Sequence, residues 1–114
     1  MINFDILIKN GTIIDGTGQK RYLSNLVISD DKIVSIYNSN QESIIVNNEK
    51  YFIENLKFNE VIDATSMVIA PGFIDVHTHD DQNIFDDPTM SCKISQGVTS
   101  CIVGNCGISL APFN

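Results

Sequence analysis

The chain has 114 residues, enough for one small domain, and 43% of them are apolar, so it can bury a core. A formal net charge of −7 with only seven Lys and Arg excludes the basic face that nucleic acid or an anionic membrane surface requires. The start lacks a basic segment followed by an apolar run, and no stretch approaches the ~20 apolar residues of a membrane helix, so a cytoplasmic protein is expected. Cys92, Cys101 and Cys106 are odd in number and form no disulfide framework, which leaves free thiols or metal ligands.

The first third reads as short strands. Phe4 to Lys9 is apolar and stops at Asn10-Gly11; Thr12 to Asp15 follows and stops at Gly16-Thr17-Gly18. Asn25 to Ile28 and Lys32 to Tyr37 flank Ser29-Asp30-Asp31, which reads as a hairpin turn. Strands this close together predict an antiparallel sheet. Between residues 38 and 60 the pattern is open. Ile44 to Val46 and Tyr51 to Ile53 suit a hairpin around Asn47-Asn48, while Tyr51 to Phe58 suits a short helix equally well.

The pattern changes at Val61. Val61 to Asp63 and Met67 to Ala70 are short strands around a Thr65-Ser66 turn, and Pro71-Gly72 punctuates. Phe73 to His77 predicts a new strand. Asp87-Pro88 predicts a helix start, with Asp87 as cap, Pro88 at the first position and Asp86 beside it as a second capping residue. Gly97 suits the helix end, and Val98 to Val103 is another strand. Strand, helix, strand is the grammar of a parallel sheet.

The chemistry concentrates in two places. His77 and His79 are the chain's two histidines, and they fall at a strand's carboxyl end. Residues i and i+2 of a strand share a side, so both imidazoles can converge on one metal. Asp75 is expected on that same face, with Ile74 and Val76 opposite, under helices. A lone His-x-His also arises from ordinary surface histidines. Cys106, within Gly104-Asn105-Cys106-Gly107, sits where backbone comes close to a ligand; a small buried thiol fits the position as well. Asp80 and Asp81 suit either groups that orient imidazole or solvated loop carboxylates. Cys92 and Cys101 read as packing residues.

The run Pro71-Gly72-Phe73-Ile74-Asp75-Val76-His77-Thr78-His79 resembles the hallmark of the amidohydrolase superfamily. So do Asp5 to Gly16 and Val61 to Ala64. His79-Asp80-Asp81, Ser95 to Thr99 and Val103 to Pro112 are similar to the N-acyl-D-amino-acid deacylase branch in particular.

The resemblance implies an α/β chain with a β-rich start. Residues 1–70 would be strands of a small β-sandwich, with 38–60 as an insertion, and 71–114 the start of a (β/α)8 barrel of ~250 residues. It implies zinc held by His77, His79 and Cys106, and a small-molecule N-acyl-D-amino acid as substrate. The general-base Asp is expected outside these 114 residues, so the chain alone should be inactive. Half of a split enzyme with a complementary carboxy-terminal chain, a cyclic-amide hydrolase, and a non-catalytic β-rich binding module are the competing expectations.

Overall fold

The computed structural model describes residues 2–110, and its chain divides into two compact units, Met1–Pro71 and Gly72–Asn114. The fold is mixed and sheet-rich, and no helix among the described residues is long and apolar enough to cross a membrane.

The first unit is organised around one long strand, β1 (Ile2–Ile13). It replaces the two separate strands expected from the sequence, because Asn10-Gly11 is a bulge and not a turn. Asn10 takes φ 62°, and the register against β2 (Tyr22–Ser29) shifts between Ile8 and Gly11. The bulge frees the Asn10 amide, which donates to Asn25 Oδ1 at 2.9 Å. β2 pairs antiparallel with β3 (Lys32–Tyr37) through a two-residue loop, Asp30 (φ 50°) and Asp31 (φ 59°). Two positive φ values are what a twisted two-residue hairpin demands, and Asp tolerates them better than most residues.

Residues 38–60 settle as a hairpin, not the alternative helix. β4 (Ser43–Val46) pairs with β5 (Glu49–Phe52) around Asn47 (φ 51°) and Asn48 (φ 66°). A single 3-10 turn, Ile53–Asn55, leads into β6 (Leu56–Asp63), five residues earlier than the Val61 start expected from the sequence. β6 and then β7 (Val68–Ile69) both run parallel to β1, so the sheet is mixed and not purely antiparallel. The strand order is β3-β2-β1-β6, with β7 also on β1. Between β6 and β7 the Met67 N–H donates to Ala64 C=O at 2.8 Å, and Ser66 takes φ 65°.

The core follows from this pairing. Phe4, Leu7, Val27, Tyr37, Ile44 and Val46 form one buried cluster, so the β4–β5 hairpin contributes two of its side chains. Phe4 lies edge-on to Tyr51 with ring centroids 6.3 Å apart and stacks on Phe58 at 6.1 Å. Val27 is fully buried, which contributes about 1.5–3 kcal/mol.

The second unit is a short parallel pair, β8 (Phe73–Asp75) and β9 (Val98–Cys101), with two helical turns between them. Both strands are shorter than the sequence predicted, yet the ladder carries on past them. Ile102 N–H donates to Asp75 C=O at 2.8 Å, and Thr78 N–H donates to Ile102 C=O at 3.0 Å. Helix α1 (Asn83–Asp86) was not expected; Asp86 ends it and so caps nothing.

The second helix, α2 (Ser91–Ile94), begins later than the predicted Pro88. The Asp87 carboxylate accepts from the Thr89 and Ser91 amides, at 3.1 and 2.8 Å, and from both their hydroxyls. That grip folds Asp87 to Met90 into a turn, and Met90, at φ 49°, stands just outside the helix, where its C=O accepts from the Lys93 and Ile94 amides. Gly97 (φ 80°) ends the helical segment, as anticipated. Ile74 and Val76 are 61% and 71% exposed, so no helix covers them among the described residues.

Candidate metal centre

His77 and His79 lie just beyond β8, in the segment that Thr78 holds against Ile102. Thr78 is buried. Its hydroxyl donates to Ile102 C=O at 3.2 Å, and its own C=O accepts from Asn105 Nδ2 at 3.1 Å. With the middle residue pinned inward, its two neighbours turn outward together. Their rings meet edge to face, centroids 5.8 Å apart.

The second half of the site comes from the turn after β9. Gly104 (φ 80°), Cys106 (φ 58°) and Gly107 (φ 72°) all sit in the left-handed region. Glycine accepts that backbone freely; cysteine does not, so Cys106 is held there by its surroundings. Asn105 supplies the hold, donating to Thr78 C=O and, at 2.8 Å, to Ile102 C=O. The result places Cys106 Sγ 3.5 Å from His77 Nε2.

One donor atom each from His77, His79 and Cys106 therefore lies within 4.8 Å of the others, and all three residues are exposed. Two imidazoles and a thiol are the ligand types zinc prefers. Bond lengths of about 2.0–2.3 Å put neighbouring donors of a tetrahedral zinc roughly 3.3–3.6 Å apart. The His77–Cys106 pair already has that spacing. The donor set fits a divalent metal of that kind.

Asp75 does not join the three donors. Its carboxylate turns to Lys93 Nζ at 2.7 Å and accepts the His77 amide at 3.3 Å. Asp80 is buried, not solvated. One of its oxygens accepts from Asn83 Nδ2 at 3.0 Å; the other makes no aligned hydrogen bond, but Lys93 Nζ neutralises it at 2.9 Å. Lys93 thus sits between two carboxylates. Its ammonium holds Asp75 and Asp80 below the usual carboxylate range, and the two carboxylates hold Lys93 above the usual lysine range. Asp81 Oδ2 accepts from the Leu110 amide at 2.7 Å.

Cys92 is exposed on α2, where its C=O accepts from the Ser95 hydroxyl and the Gln96 amide group. Cys101 is half-buried, and burial pushes its thiol up. Neither approaches the histidine pair as Cys106 does.

Lys93, Thr78 and Asn105 are the contributors that the sequence reading passed over. For Lys93 a signal exists: it is the sole Lys or Arg after Gly72, against five Asp residues. For Thr78 the only signal is its place between two histidines.

Residues 60–112 match the amidohydrolase family. Over 110 residues the chain is 38% identical to the D-aminoacylase of Alcaligenes xylosoxydans xylosoxydans, covering 96% of this chain and 20% of that protein. It is 37% identical over 110 residues to the N-acyl-D-aspartate deacylase of the same organism, covering 96% of this chain and 19% of that one. Among solved structures, the N-acyl-D-glutamate deacylase of Bordetella bronchiseptica, complexed with zinc and a phosphonate inhibitor, superposes with a TM-score of 0.78. That pair is 37% identical, covering 97% of this chain and 20% of that one. The chain thus spans about a fifth of the length of the relatives it matches. In sequence and in fold, these residues are therefore similar to amidohydrolases, and to the D-aminoacylase and the N-acyl-D-amino-acid deacylases among them.

Proposed function

We propose that this chain supplies part of the zinc site of an enzyme that hydrolyses the amide bond of N-acyl-D-amino acids. The observation that carries the reading is the convergence of His77, His79 and Cys106 within 4.8 Å. The likeness to the D-aminoacylase and the two deacylases supplies the substrate class. In this reading the first unit belongs to a small β-sandwich and the second opens a (β/α)8 barrel, whose active sites form at the carboxyl ends of strands.

A zinc ion at this site would act as a Lewis acid on the amide carbonyl and bring a water proton within reach of a base at neutral pH. The chain's own residues do the rest of what falls to them. His77 and His79 would hold the ion through imidazole nitrogens, and Cys106 through its sulfur. Thr78 and Asn105 tie the two ligand-bearing turns to the same carbonyl, Ile102 C=O, so the ligands keep their spacing. Four of the five Asp residues after Gly72 have partners of their own. Asp75 and Asp80 hold Lys93, Asp81 holds Leu110, and Asp87 holds Thr89 and Ser91. The likeness to the deacylases supports assigning the general base to a part of the enzyme outside these residues.

The test is a graft. The matched segment of the Alcaligenes xylosoxydans xylosoxydans D-aminoacylase is replaced by this chain, and hydrolysis of N-acetyl-D-methionine and its L enantiomer is measured. The expected result is turnover of the D form that falls at least ~100-fold with His77→Ala, His79→Ala or Cys106→Ser, since an altered metal ligand costs at least as much as an altered neighbour of one. An active graft indifferent to those changes would contradict the proposal.

A further inference from the structure

We propose that Lys93 is a positioning residue for the metal site, clamping the segment that carries His77 and His79 by salt-bridging Asp75 and Asp80 at its two ends. This rests on the reading of His77, His79 and Cys106 as metal ligands, and it goes beyond that reading to a residue that touches none of them.

The geometry is specific. Asp75 precedes the histidine pair and Asp80 follows it, so the two carboxylates bracket residues 76–79. Lys93 Nζ reaches both, at 2.7 and 2.9 Å, from helix α2. Each carboxylate also has a second grip on the segment's surroundings. Asp75 Oδ1 accepts the His77 amide, which fixes the backbone at the first ligand. Asp80 Oδ1 accepts from Asn83, while the Asp80 amide lies 3.5 Å from Thr78 Oγ1, the group bonded to Ile102 C=O. The ammonium therefore closes a ring from β8 through both histidines and back.

The charge pattern makes the clamp unusual. Lys93 is the one cation after Gly72, and its side chain is only 21% exposed, so much of its charge is shielded from water. Few surface ion pairs stabilise anything measurable. A partly buried lysine shared by two carboxylates is different, since removing it leaves two anions facing each other with Asp80 buried. The relief available is for the segment to open, which moves the ligands apart.

The experiment is a cobalt titration of the full 114-residue chain, followed by the visible absorption of the bound ion, with His77→Ala as the control for the ligand reading. Lys93→Met should weaken cobalt affinity by about tenfold or more, in the range seen for groups that orient ligands, and should alter the ligand-field bands. Lys93→Arg, which keeps the charge, should recover most of the affinity. Asp80→Asn, which keeps the shape and loosens one anchor, should weaken binding in the same direction. In the double variant the two effects should not add, because they break the same ring. If Lys93→Met abolishes the circular dichroism of the native chain, Asp80→Asn with unchanged dichroism carries the test. Cobalt binding that is lost in His77→Ala but unchanged or tighter in Lys93→Met or Asp80→Asn overturns the clamp while leaving the ligand site standing. Binding that His77→Ala leaves intact overturns the ligand reading itself, and the clamp with it.

Discussion

Replacing Gly11 by Ala should destabilise the first unit, and Ile69 is the reason. A Cβ at position 11 would lie 2.3 Å from Ile69 Cδ1, 2.6 Å from its Cγ1 and 3.2 Å from Ala64 Cβ. The first two distances are far inside van der Waals contact, so the Ile69 side chain must leave its rotamer on β7, beside β1. Overpacking of this kind costs about 1–3 kcal/mol. Against it stands the smaller unfolded-state entropy of Ala relative to Gly, a gain of about 0.4–1 kcal/mol where the backbone permits it. Gly11 has no positive φ, so that gain is available, and the net expectation is a loss of about 0.5–2 kcal/mol. In a unit this small, each kcal/mol moves Tm by roughly 4–8 °C. The assay is thermal unfolding of four chains: wild type, Gly11→Ala, Ile69→Ala and the double variant. Ile69→Ala destabilises by itself, but in its background the Gly11 change should be neutral or stabilising, since only Ala64 remains in the way. An equal penalty in both backgrounds would refute the reasoning.

Ser66→Gly should raise Tm, because Ser66 holds φ 65° in the turn between β6 and β7; the left-handed cost removed exceeds the entropy added by about 0.5–1 kcal/mol. Acid should destabilise the chain in a definite window. Hydrogen bonds from Ser91 and Thr89 hold the Asp87 carboxyl far below the usual range, and Thr65 does the same for Asp63 to a smaller degree. Groups whose folded pKa is depressed contribute stability that is full above the unfolded value of about 3.9 and lost as pH falls through the folded one. A Tm that is flat from pH 7 to pH 5 and drops below pH 4, less steeply in Asp87→Asn, is the expected profile. The isolated 114-residue chain should show no turnover of N-acetyl-D-methionine, because the proposed function assigns the general base to another part of the enzyme. D-methionine released by the pure chain and lost with Cys106→Ser would contradict that assignment.

Much of the site was legible because its elements are local. His77-Thr78-His79 is one tripeptide, and the Gly104 to Gly107 run announces unusual backbone by composition. What stayed hidden depended on partners distant in sequence. Asn10-Gly11 looks like a turn until β2 pairs with β1 on both sides of it and makes it a bulge. Leu56 to Glu60 alternates too weakly to declare a strand, and parallel pairing with Ile2 to Ile6 decides it. The late start of α2 follows from one carboxylate, Asp87, gripping two residues instead of opening a helix at Pro88. Asp75 shares strand parity with the histidines, but Lys93 draws it away, and no pattern within the strand reveals a cation eighteen residues on.

The central claim is that His77, His79 and Cys106 hold one metal ion. Titrating the chain with cobalt and following the thiolate-to-cobalt charge-transfer absorption tests it most directly, since that band reports sulfur ligation itself. The account predicts one equivalent bound with the band present, the band lost in Cys106→Ser, and binding weakened severely in His77→Ala and His79→Ala. A band that persists in Cys106→Ser while vanishing with Cys92→Ser or Cys101→Ser, or no cobalt binding by the folded chain, would contradict it.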